Sequence, residues 1–142
     1  MFLGEYEYRV DDKGRLPLPP KFRQEFRDGI ILTRGAETCI VVYPIAEWQK
    51  LADTLAARTV TPSKLRRLNR VIFGAAFSLT LDGQGRIALP SPLRRYAEIG
   101  DVATIVGANN CIELWDSALW NSEKASAEEQ AWQIIESLEG QP

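Results

Sequence analysis

Two short stretches of this 142-residue chain hold residue types that could do chemistry. Asp11-Asp12-Lys13-Gly14-Arg15 and Asp82-Gly83-Gln84-Gly85-Arg86 share an Asp-x-x-Gly-Arg pattern. In such a run Gly14 or Gly85 supplies the positive φ of a tight turn, and Asp11 or Asp82 accepts hydrogen bonds from backbone groups within it. These four residues therefore have turn-supporting jobs that need no partner. Arg15 and Arg86 do not, because arginine contributes nothing to turn formation. A guanidinium fork fits a phosphate, or the O6 and N7 edge of guanine in a major groove. The competing reading is an Asp11–Arg15 and an Asp82–Arg86 ion pair that only locks each turn. Lys13 adds a second positive group to the first turn, whereas Gln84 holds that place in the second.

Other chemistries find little support. The chain has no histidine, which excludes Ser-His-Asp and Cys-His catalysis and every histidine-ligated metal site. Two cysteines, Cys39 and Cys111, are too few for a disulfide framework or a four-thiolate zinc site. Each begins an apolar run, where free cysteine acts as a small buried hydrophobe. Asp11, Asp12 and Asp82 make a weak carboxylate set, since Gly83 replaces Asp12 in the second stretch. Gly83-Gln84-Gly85 lacks the third glycine and the helix of a dinucleotide loop. No catalytic residue, metal site or cofactor is expected. The run Lys64-Leu65-Arg66-Arg67-Leu68-Asn69-Arg70 predicts a basic amphipathic helix. Its ordinary role is a solvated face, lying beside an acidic C-terminal helix. A second phosphate-contacting face or a subunit contact are the alternatives.

These residues must be positioned by a folded domain. Apolar residues make up 45% of the chain, enough to close a core and to exclude disorder throughout. No apolar run approaches the ~20 residues of a membrane helix. The N-terminus lacks a secretory pattern, and with few cysteines a reducing cytoplasm is the expected location. The net charge of −2 conceals an asymmetry: residues 101–142 carry eight acids and one base, while residues 58–70 carry five bases and no acid. A nucleic-acid partner would have to meet one face and avoid the C-terminal helix.

The chain repeats itself. At a shift of 71, Asp11, Gly14, Arg15, Leu18, Pro19 and Arg23 fall on Asp82, Gly85, Arg86, Leu89, Pro90 and Arg94. After one inserted residue, Gly35-Ala36, Cys39-Ile40 and Trp48 fall on Gly107-Ala108, Cys111-Ile112 and Trp120. Each copy is too small to bury much alone, so the two are expected to share one core. Each reads as β-β-α-β-β followed by a longer helix. Tyr6, Tyr8 and Val10 alternate with charged residues, which predicts a half-buried strand. Pro20, and Ser91 as N-cap before Pro92, open short helices that Gly29 and Gly100 stop. Helices are expected over about 45–58, from Thr61-Pro62, and from Asp116 or Ser117 to about Leu138. Their stripes expose Trp48, Trp120 and Trp132 beyond what one chain covers, which predicts a closed homo-oligomer.

A strand, the Asp-x-x-Gly-Arg turn, a strand ending in Leu-Pro, a short helix and a hairpin resemble the SpoVT/AbrB-type DNA-binding unit. Two such units, with the opening Met1-Phe2-Leu3-Gly4-Glu5-Tyr6, resemble the MraZ family of bacterial transcriptional regulators. The resemblance covers nearly the whole chain. It implies a β-rich α+β fold: an AbrB-like double-split β-barrel, formed by two tandem repeats as an intrachain pseudo-dimer and flanked by helices. The repeats would span 5–47 and 76–119, with a basic helical linker at 48–75 and an acidic C-terminal helix at 120–142. It implies DNA as partner, bound through Arg15, Arg86 and Lys13, with Asp11 and Asp82 as the acids of the family's Asp-x-x-x-Arg element. It also implies ring-like homo-oligomers, nucleoid association, and repression of the division and cell-wall gene cluster encoding the regulator, through short G-rich direct repeats in its promoter. No membrane and no small-molecule substrate enter this reading. The alternative is a protein-interaction module such as an antitoxin-like partner, which would need an extra disordered arm to wrap its target.

Overall fold

Alternating side chains set the first strand: Tyr6 and Tyr8 turn toward the core while Glu5, Glu7 and Arg9 face solvent in β1 (Glu5–Arg9). The fold is taken from a computed structural model, which describes residues 1–58 and 60–140. The first copy continues with β2 (Arg15–Pro17), α1 (Pro20–Arg23) and a 3-10 turn over Gln24–Phe26, then β3 (Ile30–Arg34) and β4 (Ile40–Pro44). Two helices follow, α2 (Ile45–Ala56) and α3 (Pro62–Ile72). The second copy gives β5 (Phe77–Leu79), β6 (Arg86–Ala88), α4 (Ser91–Ala97), β7 (Val102–Gly107) and β8 (Ile112–Asp116), and α5 (Ser117–Glu139) ends the chain. The protein is a β-rich α+β fold.

The two copies exchange strands. Antiparallel pairing gives one six-stranded sheet in the order β1-β7-β8-β4-β3-β5 and a separate two-stranded ribbon of β2 with β6. The first strand of each copy thus pairs with the hairpin of the other: Tyr6 sits opposite Ile105, and Phe77 opposite Leu32. Exchanging the copies reverses the strand order onto itself, so a pseudo-two-fold axis runs through the β4–β8 and β2–β6 pairings. The sheet stays open at β1 and β5, and the strands do not close into a barrel by hydrogen bonding among the described residues.

Alternation along these strands makes two apolar layers. Ile30, Leu32, Ile40, Val42, Ile105 and Leu114 point to one face, where Leu16 and Ile87 of the ribbon and Phe22 and Leu93 of the short helices cover them. Phe2 packs edge-on to Phe22 and stacked on Phe26, both at 5.1 Å between ring centres. The opposite face holds Cys39, Val41, Cys111 and Trp115 beneath Leu119 and Trp120 of α5. Both cysteines are free and buried. Burial, with Glu113 nearby, raises the Cys111 thiol to about 11 and holds Cys39 higher still, so both stay protonated as small hydrophobes.

Local details differ from the sequence expectations. Pro90, not Ser91, is the cap of α4; Ser91 is its first residue, and no side chain caps it. A Leu-Pro pair precedes both short helices, and the Pro19 and Pro90 carbonyls accept from Phe22 N at 2.9 Å and Arg94 N at 3.0 Å. Gly29 takes φ +126° after the first of them, but α4 ends at Glu98 in the left-handed region (φ +56°), before Gly100. Thr61 does cap α3, accepting from Lys64 N at 3.3 Å.

The basic helix does not lie beside the acidic one. The end of α3 is tied to β3, where Thr33 Oγ1 donates to the Ile72 carbonyl at 3.0 Å, and Phe73 meets Trp48 of α2 edge-on. α5 instead packs on β7 and β8 and reaches β1, where Trp120 Nε1 donates to Glu5 Oε1 at 2.8 Å and Lys124 pairs with Glu5 at 3.0 Å. Trp48 and Trp120 are half-buried, and Trp132 is 69% exposed. No helix among the described residues is long and apolar enough to cross a membrane.

Leu16 and Ile87 face each other on the ribbon with no exposed surface. Leu16→Ala or Ile87→Ala should each cost about 2–5 kcal/mol. Because the copies share one core, denaturant unfolding followed by tryptophan fluorescence and circular dichroism should still give one coincident transition. Two separate transitions would show that the copies fold independently.

Candidate nucleic-acid interface

Each turn is built by its aspartate. Asp11 Oδ1 accepts from Lys13 N at 2.9 Å and Arg15 N at 2.8 Å; Asp82 Oδ1 accepts from Gln84 N at 2.9 Å and Arg86 N at 3.0 Å. The backbone closes both turns alike, with Gly14 N to Asp11 O at 3.0 Å and Gly85 N to Asp82 O at 2.9 Å. Gly14 at φ +77° and Gly85 at φ +74° occupy the left-handed region, which costs glycine nothing. Two turns from separate copies thus reach one geometry.

The second carboxylate oxygen holds the arginine. Arg15 Nε lies 2.6 Å from Asp11 Oδ2 and Arg86 Nε 2.8 Å from Asp82 Oδ2. The ion pair that would lock the turn is therefore present in both copies. It occupies Nε, and no hydrogen bond from a terminal nitrogen of Arg15 is made among the described residues. These nitrogens form the fork that suits a phosphate or guanine. The guanidinium is held in place while part of its donor set stays free.

Ribbon register then brings the turns together. Leu16 and Ile87 face inward, so Arg15 and Arg86 project from the other side of the ribbon, Arg15 opposite Ala88 and Arg86 opposite Pro17. Arg86 Nη1 is 3.7 Å from Asp11 Oδ2, a contact between copies with no counterpart at Asp82. Both side chains point outward from the ribbon but are half-buried, 33% and 22% exposed. Lys13 is exposed at the tip of the first turn, and Gln84 takes its place in the second.

Two further arginines cover the turns from the opposite copy. A Cβ on Gly85 would fall onto Arg23 Nε, and one on Gly14 would lie 3.6 Å from Arg94 Nη1. Arg23 Nε donates to the Leu18 carbonyl at 3.1 Å, whereas Arg94 donates to the Ile99 and Gly100 carbonyls at 3.0 and 2.9 Å. The identity of Arg23 and Arg94 in the repeat alignment is the signal that points to them; nothing in the sequence shows that each crosses to the other copy's turn. They add positive charge beside Arg15 and Arg86.

Electrostatics follow from these bonds. Hydrogen bonding from the Arg15 amide, then from its side chain and the Lys13 amide, holds the Asp11 carboxyl below the usual carboxylate range against a smaller opposing effect of burial. Asp82 is lowered in the same way by Arg86 and Gln84. Both aspartates are therefore charged at neutral pH, and each arginine keeps its partner. No group of three or more metal-ligating side chains forms among the described residues.

Comparison with known proteins agrees with the duplicated architecture. The family model described as "MraZ protein, putative antitoxin-like" matches twice, over residues 1–71 and 72–137. The transcriptional regulator MraZ of Dehalococcoides mccartyi strain 195 is 54% identical over 141 residues, covering 99% of both chains. Proteins of the same name from Parafrankia sp. and Halothermothrix orenii are each 42% identical, over 97% and 98% of this chain and 96% and 97% of theirs.

Two substitutions check the turn geometry. Gly83 has open space around its α-carbon, so Gly83→Ala should leave the melting point almost unchanged. Gly85→Ala should cost about 1 kcal/mol or more, because its φ and the overlying Arg23 both resist a side chain. Acidification tests the aspartates. A lowered folded pKa contributes stability that is complete above the unfolded value near about 3.9 and is lost as pH falls through the folded value. The double variant Asp11→Asn, Asp82→Asn should accordingly be less stable at neutral pH and lose less of its stability below about pH 4. Parallel pH profiles for the two proteins would refute this.

Proposed function

The chain belongs to the MraZ family, and on that premise we propose that it is a sequence-specific DNA-binding transcriptional regulator whose contacts with DNA are made by Arg15, Arg86 and Lys13. The observation that carries this reading is the pairing of two Asp-x-x-Gly-Arg turns on one side of the β2–β6 ribbon, each arginine oriented by its aspartate. Preoriented guanidinium groups lose little freedom on binding, which favours guanine or phosphate recognition. Membership adds the finer reading. The protein acts as a repressor of its own division and cell-wall gene cluster, binds short G-rich direct repeats, and assembles as a ring. The open sheet and the ribbon are then the two parts of an AbrB-like double-split barrel. The repeats span 5–47 and 76–119, with the linker at 48–75 and the acidic helix at 120–142.

Charge distribution fits this use. Residues 125–140 hold four glutamates and no base, and α5 lies on the sheet face turned away from the ribbon. The arginine surface therefore meets DNA without the acidic helix between them. A single chain offers few phosphate contacts, so its own affinity is modest. Repetition of the arginine turns around a ring raises affinity through effective concentration.

The test is binding to DNA from upstream of the protein's own gene, with a scrambled control, across a range of salt. Affinity should fall steeply as salt rises, while the upstream DNA stays preferred throughout. Arg15→Ala should cost about 1–3 kcal/mol of binding per site. It should weaken binding more than Arg86→Ala, because Lys13 stands beside Arg15. Both variants should melt within a few degrees of the parent, since the ion pair each removes is largely solvent-screened. Equal affinity for both DNAs, or none for either, would favour the antitoxin-like interaction module instead. A variant that binds normally would remove that arginine from the site.

A further inference from the structure

Two helices remain that neither the core nor the arginine surface uses. Ala127 and Ala131 of the last helix still border a cleft with Glu5 and Val106, but its far end carries an exposed apolar row: Trp132 is 69% exposed, Ile135 41% and Leu138 63%. These three residues are spaced at intervals of three, so they form one row along α5. Glu128, Glu129 and Glu136 stand within one turn of Trp132, and residues 125–140 contain no lysine or arginine. On α3, Leu68 and Val71 form a shorter row, 38% and 59% exposed. Lys64, Arg66, Arg67 and Arg70 surround it, and α3 contains no acid.

The helices are complementary, yet they stand at opposite ends of the sheet. α3 is fixed at β3, beside the β5 edge, by the Thr33–Ile72 hydrogen bond. α5 is fixed at the β1 edge by Trp120 and Lys124 on Glu5. Within one chain these contacts hold the end of α3 and the start of α5 on different strands.

We infer that the acidic face of α5 in one copy docks along the basic face of α3 in the next, through an apolar row of Trp132, Ile135 and Leu138 against Leu68 and Val71. The occupant is a second copy because one charge-complementary surface for each helix already exists on this chain, at the wrong end of the same molecule. The contact joins two different patches. It is heterologous, and it propagates head to tail until the assembly closes. Like charges prevent α3 from pairing with α3 and α5 with α5, which fixes the direction of propagation. This deepens the proposal of a ring-like homo-oligomer and rests on it.

The experiment compares full-length charge-reversal variants by sedimentation velocity at micromolar concentration, with circular dichroism to verify folding. One variant carries Glu128→Lys, Glu129→Lys and Glu136→Lys; the other carries Arg66→Glu, Arg67→Glu and Arg70→Glu. Each alone should dissociate toward the 16.0 kDa chain, with its assembly constant weakened by at least about tenfold. Mixing the two variants should restore large assemblies, because each α5 then again meets an α3 of opposite sign. Combining all six changes in one chain should restore them too. Variants that stay assembled, or a mixture that stays dissociated while both proteins are folded, would overturn the helix pairing. An α3 variant that keeps its assembled mass but loses DNA binding would assign that helix to nucleic acid and overturn it as well. A parent chain that is itself monomeric would instead remove the ring reading on which the inference rests.

Discussion

Everything in this molecule depends on one exchange: the first strand of each repeat hydrogen-bonds to the hairpin of the other. A repeat of this size buries too little to fold alone. Crossing the strands puts Leu16 and Ile87 on opposite sides of a pseudo-two-fold axis and lets both repeats close over the same aliphatic layer. The exchange also fixes which side chains face outward. Side chains alternate along a strand, so burying Leu16 and Ile87 forces Arg15 and Arg86 to the other side of a three-residue ribbon. The arginine surface is thus a consequence of the core.

The two readings of these arginines, lock or ligand, are not exclusive. Aspartate takes Nε and orients the guanidinium plane; the terminal nitrogens of Arg15 make no hydrogen bond among the described residues, while Arg86 Nη1 lies 3.7 Å from Asp11 Oδ2. A partly exposed, solvent-screened ion pair contributes little to stability, so its main effect here is to restrict rotamers. Arg23 and Arg94 reinforce this arrangement by covering Gly85 and Gly14 from the opposite copy. The surface is set by residues of both repeats, and loss of either repeat would remove it.

The repeat, the element order and the turn chemistry are legible in the sequence because each leaves a local mark. Asp-x-x-Gly-Arg marks a turn, period-two alternation a strand, and Thr61-Pro62 a helix start. What was not legible is non-local. Nothing in either copy says that β1 pairs with β7 rather than β3, because both partners offer similar apolar strands. Charge complementarity suggests that α3 and α5 lie side by side, but hydrogen bonds to Thr33 of β3 and Glu5 of β1 tie them toward opposite ends of the sheet. At the site, the half-burial of Arg15 and Arg86 depends on the ribbon register, which is set by the other copy. Ser91 looks like a cap by residue type, yet the Pro90 carbonyl comes first because the ribbon delivers the chain at that residue.

The two-fold relation within the chain is imperfect where it touches the site. Asp11 receives both Arg15 and Arg86, while Asp82 receives Arg86 alone. Gln84 stands at the repeat position equivalent to Lys13, and Arg23 and Arg94 bond different carbonyls. A strictly two-fold surface would prefer an inverted repeat in DNA, whose own symmetry matches it. If the turns contact DNA as proposed, breaking that symmetry makes one turn the stronger contact and gives each chain a direction along the duplex. Chains that face the same way along DNA read the same sequence again at each step, and this is a direct repeat. A head-to-tail assembly supplies that common direction, whereas a two-fold dimer would reverse it. The departure of Gln84 from Lys13 and the proposed heterologous pairing of α5 with α3 would then serve one logic: polarity within the chain is useful only if the assembly preserves it.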